Sequence, residues 1–298
     1  MIRNYEFITL IDSMKISIES DNIENYMGIN GQPFISQNKV NDKITEECLT
    51  KIMVINPNKF TNKYTPIHSL KEFYNSMEHI YSALTIKDST KVNLQRLDIA
   101  LDSSINFETN FKFLLFIFEL LSIDYTKADK WYTTNLNTLK RNTIIFKTRS
   151  IEICFYNKAE ESNNKHYGNT RCEFRFLRIT DKNYMTHFNK ILLMIKNMES
   201  LIPQLELLMS QRLISLWKNE VTTGEIKSFS EFVRKYTVYF YTNNIIKTVY
   251  SATGLKGNYK KWLDRFRETN NHLELFTTSD VIYFRKQVKK AIISYLNN

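Results

Sequence analysis

Glycine and proline are scarce in this chain, six and four residues among 298. A collagen-like, linker-like or broadly disordered composition is thereby excluded. Cysteine is as rare: Cys48, Cys154 and Cys172 leave one unpaired and form no Cys-x-x-Cys pair. A structural zinc site or a disulfide framework is not expected. The five histidines, His68, His79, His166, His187 and His272, are isolated from one another. There is no Gly-x-x-x-x-Gly-Lys-Ser/Thr loop, so the chain does not read as a P-loop ATPase or helicase. Long hydrophobic runs are missing too. The most apolar stretch, Phe111 to Leu121, is too short to span a bilayer and carries Lys112 and Glu119, so it reads as a buried helix. The first residues, Met1 to Glu6, are charged, with no apolar run of signal-peptide length behind them. The expectation is a soluble, cytoplasmic protein with no membrane partner.

What is abundant is positive charge and apolar bulk. The chain is 43% hydrophobic and 13% aromatic, enough for one large domain or two smaller ones with real cores. Its net charge of +10 and pI near 9.3 favour association with a polyanion, of which nucleic acid is the commonest.

Periodicity divides the chain. Residues 5–20 alternate as a long strand or strand pair, 21–63 read as polar turns and short strands, and 66–85 have helical spacing behind Ser69. The clearest strand is Asn93 to Asp102, followed by a helix at about 108–122. A hairpin-like pair, 143–147 and 150–158, precedes a strand at 169–179. From 184 onward the spacing is helical, interrupted at Pro203, with Ser230 and Ser279 as start signals and Gly254 and Gly257 as breaks. The expected fold is α+β, a mostly antiparallel sheet with helices on one face, over residues 1–180, followed by a helical domain over 181–298.

In a strand, alternate side chains point to opposite faces. Leu97, Ile99 and Leu101 then oppose Arg96, Asp98, Ala100 and Asp102; Ile151, Ile153 and Phe155 oppose Glu152, Cys154, Tyr156 and Lys158; Cys172, Phe174 and Phe176 oppose Arg171, Glu173 and Arg175. If these strands are neighbours, their polar faces merge into one patch of acids, bases and a tyrosine. Carboxylates grouped in this way suit Mg²⁺ or Mn²⁺, and Lys and Arg beside them would stabilise phosphoryl oxygens. A phenol near such charges could become a nucleophile; a solvated face laced with salt bridges is the alternative. The first strand (IDSMKISIE) and the later RLDIALD share an Asp next to alternating apolar residues, a pattern that two related halves would give.

Three segments, Arg96-Leu97-Asp98-Ile99-Ala100-Leu101-Asp102, Cys154-Phe155-Tyr156-Asn157-Lys158-Ala159-Glu160 and Arg171-Cys172-Glu173-Phe174-Arg175-Phe176, together resemble the successive signatures of trans-acting rolling-circle plasmid replication initiators. Relaxases of integrative conjugative elements are related to them. The likeness covers residues 93–179, about a third of the chain. It implies a metal-dependent nicking-closing endonuclease that links a tyrosine to the 5′ phosphate of the nicked strand and frees a priming 3′ hydroxyl. Tyr156 would be the nucleophile with Lys158 as helper, and Asp98, Asp102 and Glu173 would hold Mg²⁺ or Mn²⁺. Arg96, Arg171 and Arg175 would face DNA. The sequence departs from the pattern in having no glycine between Phe146 and Ser150, and in Asn157 where an Asp is usual. Isolated histidines disfavour the nicking enzymes built on a His-hydrophobe-His motif, and Tyr167 and Tyr184 lack strand context.

Residues 245–267 hold helix, Gly-bounded turn and helix, with Lys256, Lys260, Lys261, Arg265 and Arg267 beside Tyr259 and Trp262. Such a helix can lie along DNA. The partners implied are origin duplex and single-stranded DNA, a host helicase and polymerase, and a homodimer if the helices mediate self-association. A conjugative relaxase, a phage replication endonuclease and a non-catalytic origin-binding regulator stay open as alternatives.

Overall fold

The computed structural model describes residues 5–19, 41–44, 49–60, 67–84, 92–125, 129–134, 141–161, 169–269 and 273–298. The polar stretch 21–40, together with Cys48, His166, Tyr167 and His272, lies outside the described residues. Eight strands occur along the chain: β1 (Phe7–Glu19), β2 (Asn41–Ile44), β3 (Leu49–Ile55), β4 (Asn93–Ser103), β5 (Asp129–Thr134), β6 (Arg141–Lys147), β7 (Ile151–Asn157) and β8 (Thr170–Phe176). They form one sheet in the order β2-β3-β1-β4-β8-β7-β6-β5. Every pairing is antiparallel. With its helices, this is the α+β class that the alternating patterns predict.

The described residues gather into two compact units. A sheet unit takes those of Asn4–Thr109, Lys127–Leu193 and Arg285–Asn298; a helical unit takes those of Asn110–Thr126 and Met194–Phe284. In the sheet unit the apolar alternation does what it should. Leu97, Ile99, Ile153, Phe155, Cys172 and Phe174 are each no more than 1% exposed, and each large apolar side chain so buried contributes about 1.5–3 kcal/mol. After the single turn α1 (Pro57–Phe60), helix α2 (Leu70–Ala83) starts where Ser69 predicts. The Ser69 hydroxyl accepts the Glu72 amide at 3.1 Å, and the Glu72 carboxylate reaches back to the His68 amide at 3.0 Å, a reciprocal capping arrangement. Its Phe73 ring meets Tyr184 at 5.0 Å, at the start of α5 (Tyr184–Thr222). Farther along α5, His187 packs on Phe176 of β8 at 4.8 Å. Phe188 packs at 5.5 Å on Tyr295, which lies in α9 (Thr278–Asn297).

The helical unit is built on α3 (Phe111–Ser122), apolar on nearly every side and therefore buried. Phe113 and Phe116 lie 5.3 and 5.4 Å from Phe276, and Phe116 also meets Tyr241. Lys112 is anchored by donating to the Glu274 carbonyl at 2.5 Å; burial lowers its pKa to about 8. Helix α5 runs on through Pro203, where an interruption is expected from sequence. The missing amide and the ring clash carry a local cost, which burial of Ile202 and Leu205 on the same stretch opposes. Helix α6 (Phe229–Lys235) is capped by Ser228 and not by Ser230. Ser230 instead accepts the Trp262 indole N–H at 3.1 Å. Between α7 (Asn243–Ala252) and α8 (Tyr259–Thr269), Gly254 takes a left-handed φ of 73°, and a Cβ on Gly257 would sit 2.9 Å from the Tyr250 hydroxyl. The turn thus requires glycine at 254, while at 257 a side chain would have to displace the Tyr250 hydroxyl. The first turn of α9 is set by Thr277, whose amide and hydroxyl both donate to Asp280. Among the described residues no helix is long and apolar enough to cross a membrane.

Candidate functional site

Strand register places the polar residues in rows across the middle of the sheet. One row runs Ile8, Asp102, Arg171, Tyr156, Thr143; the next Leu10, Ala100, Glu173, Cys154, Ile145; the third Ser13, Asp98, Arg175, Glu152, Lys147. Tyr156 is therefore directly beside Arg171 and diagonal to Glu173, a spacing of about 7–8 Å between backbones. Asp98 lies two strands away from Tyr156 and two rows along.

This face is charged and yet buried. Asp98, Asp102, Glu152, Arg171 and Glu173 are each 8% exposed or less, so the solvated salt-bridge face considered from sequence is not what forms. Buried charges must be paired and hydrogen-bonded, and these are. Arg96 grips Asp98 with two nitrogens at 2.7 and 2.6 Å, and the Ser13 hydroxyl donates to the same carboxylate at 2.6 Å. Arg171 grips Asp102 at 2.5 and 2.8 Å. Arg175 bridges Glu152 and Glu173, and Lys147 stands 3.4 Å from Glu152. Asp98 and Asp102, expected beside Glu173 as ion ligands, thus hold arginines. Arg171, expected to face DNA, is enclosed, whereas Arg96 and Arg175 keep 33% and 27% of their side chains exposed. Among the described residues no three His, Cys, Asp or Glu side chains are grouped so as to hold an ion.

The acid that does meet Glu173 is Asp12. A bulge in β1 between Ile11 and Ser13 makes Asp12 the extra residue opposite β4. An extra residue of this kind re-aims its side chain. Asp12 accepts Arg171 at 2.6 Å, and its charge acts on Glu173. Burial acts to raise the Asp12 carboxyl, but Arg171 and Lys158 outweigh it and hold it below its ordinary value. Burial and the neighbouring Asp12 charge push Glu173 the other way, up to about 7. The two carboxyls are thus driven apart, Asp12 toward its charged form and Glu173 toward its protonated one. The sequence does contain a signal for this: Leu10-Ile11-Asp12-Ser13-Met14 breaks the two-residue alternation, as a bulge must.

Tyr156 sits at the rim of this group. Burial raises its phenol above the ordinary value and the Glu173 charge raises it further, while Arg171 opposes them. Lys158, the first residue of the short helix α4 (Lys158–Glu161), places its ammonium 5.7 Å from the Tyr156 ring centre and pairs with Glu161 at 2.5 Å. Asn157 caps α4 by accepting the Glu160 amide at 3.1 Å, a task that Asn and Asp perform equally well. The glycine-free turn closes in a similar way, with Thr148 Oγ1 accepting the amides of Ser150 and Ile151. Cys154, opposite Glu173, has its thiol pushed well up by burial and by that carboxylate.

In the helical unit Lys256, Lys260, Lys261, Arg265 and Arg267 are all exposed, on the turn before α8 and on α8 itself. Leu263 and Phe266 form the buried side of α8, and Trp262 stacks with Phe266 at 5.1 Å.

The chain matches no protein-family model and no curated protein. Among solved structures it is similar to the rolling circle replication initiator protein from Geobacillus stearothermophilus, at 12% identity and a TM-score of 0.32, over 62% of this chain and 78% of that one.

Proposed function

We propose that the chain is a rolling-circle replication initiator that nicks and rejoins origin DNA through a tyrosine-linked intermediate. The observation that supports this reading is the assembly of Tyr156, Arg171, Glu173, Asp12 and Lys158 around one end of a buried charged sheet face. The Tyr156 oxygen attacks the scissile phosphorus and the P–O3′ bond breaks; the phenol proton passes to the carboxylate pair, which gives a proton to the departing 3′ oxygen so that it leaves as a hydroxyl. The resulting 5′ phosphotyrosyl bond keeps the energy of the broken linkage and allows rejoining. Glu173 and Asp12 are the hard oxygen donors near Tyr156 that would hold a divalent ion such as Mg²⁺ or Mn²⁺, the ion taking the place of a proton. When bound, it would supply positive charge next to the phenol and the phosphate. Arg96 and Arg175 keep part of their side chains exposed beside the site, and their charge would attract strand phosphates. The exposed basic side of α8 supports duplex recognition by the helical unit. A host helicase and polymerase would follow the nick, since the chain carries no P-loop.

The test is incubation of the full chain with a supercoiled plasmid bearing the cognate origin in Mg²⁺ or Mn²⁺. Nicked product with protein covalently attached, lost in Tyr156→Phe, is the expected result. Origin binding with no nick in the unmodified chain would mean a regulator instead.

A further inference from the structure

Arg171 is more enclosed than Arg96, Arg175 or Lys158, with 3% of its side chain accessible. All of its nitrogen positions are engaged. Nε and one terminal nitrogen hold Asp102 at 2.5 and 2.8 Å, and the other terminal nitrogen holds Asp12 at 2.6 Å. A phosphate would need those same donors. One planar fork therefore ties β8 to its neighbour β4 and to β1 beyond it, in the row that contains Tyr156. Asp12 needs such a tie for two reasons. It stands on a bulge, outside the regular ladder, and its partner Glu173 is another carboxylate.

We propose that Arg171 is a positioning residue of the nicking site, holding Asp12 on its bulge against Glu173, and that Asp102 serves to orient Arg171. The inference rests on the nicking reading above. It assigns Asp102 and Arg171 to one chain of contacts ending at Asp12, and removes both from direct contact with ion or DNA. A lysine cannot replace this fork, because an ammonium is a single point donor that cannot grip Asp102 in two places while reaching Asp12.

The experiment combines single-turnover formation of the covalent adduct on origin plasmid with the salt dependence of binding to a labelled DNA duplex. Arg171→Gln is expected to lower the maximal rate about tenfold or more, with the half-saturating DNA concentration changed less than about twofold. The slope of log affinity against log salt should stay unchanged, and Arg171→Lys should not restore the rate. In an Asp12→Asn background, Arg171→Gln should cost less than about a further twofold, because residues acting through one another are not additive. If Arg171→Gln fails to fold, Asp102→Asn in the same two backgrounds gives the same comparison. A raised half-saturating concentration with a slope lowered by about one would make Arg171 a phosphate contact and overturn the proposal. So would losses that multiply in the double variant, which mark a merely structural role. If the unmodified chain forms no adduct, the nicking reading fails and the positioning role with it. If it forms adduct and Arg171→Gln is fully active, only the positioning role fails.

Discussion

Replacing Glu173 by glutamine should stabilise the folded protein at neutral and mildly alkaline pH while abolishing adduct formation. The side chain is 2% exposed, and burial with the Asp12 charge moves its carboxyl from 4.5 to about 7. The unfolded chain loses this proton near the lower value and the folded chain near the upper one. Below the lower value both states are protonated and the acid exerts no penalty. Between the two only the folded state keeps the proton, so stability falls as pH rises; above the upper value both are ionised and the loss is complete. At about 1.4 kcal/mol for each tenfold change in proton affinity, the total is roughly 3 kcal/mol. Glutamine has the shape of the protonated acid and never ionises. Urea unfolding followed by circular dichroism, stepped from about pH 4 to about pH 8.5, should show unmodified protein losing ground to the variant across that window, with equal m values. A stability difference that is flat with pH, or that shrinks as pH rises, would refute the buried, charge-opposed state of Glu173. The same variant should be inactive, so the acid would be kept against a cost in stability.

Three further outcomes follow from the same physics. Asp102→Ala leaves the Arg171 charge buried with one partner fewer and should destabilise the protein by about 3–5 kcal/mol in thermal or urea unfolding. Lys260→Ala, Lys261→Ala and Arg265→Ala, combined on the exposed side of α8, should weaken duplex binding and lower the salt slope by about 0.9 for each phosphate that is no longer neutralised; nicking of a single-stranded origin oligonucleotide should persist. Gly254→Ala at a φ of 73° should lower unfolding stability by about 1 kcal/mol with no change in adduct chemistry, since the turn alone requires the left-handed backbone.

Much of the sheet is legible because alternation is a local property. Leu97, Ile99 and Leu101 against Asp98 and Asp102 can be sorted without knowing what the strand pairs with, and their burial follows. Ser69 reads as a cap for the same local reason. The partners of each charge are not local. Nothing near Asp98 or Asp102 in sequence says that each is gripped by an arginine, one on its own strand and one 69 residues away. Asp12 shows the difference most plainly: its displaced alternation is visible, but its meeting with Glu173 depends on β1 and β8 flanking β4. Pro203 misleads in the opposite direction, because a local penalty is outweighed by the buried side chains around it. Ser230 misleads because Ser228, two residues earlier, meets the same capping rule.

The strand order β2-β3-β1-β4-β8-β7-β6-β5 carries a temporal consequence. Tyr156 stands on the ribbon β5-β6-β7, whereas Asp12, Asp98 and Asp102 stand on the ribbon of β1 and β4. Only β8, made last, pairs with both. A chain emerging from the ribosome therefore holds Tyr156 and these three acids on ribbons that share no backbone hydrogen bond until Thr170–Phe176 slides between them. That final insertion also delivers Glu173 and Arg171. On the proposed nicking function, competence to cut DNA would be a property of the closed sheet alone, and a chain halted before β8 would carry Tyr156 apart from Glu173 and Arg171.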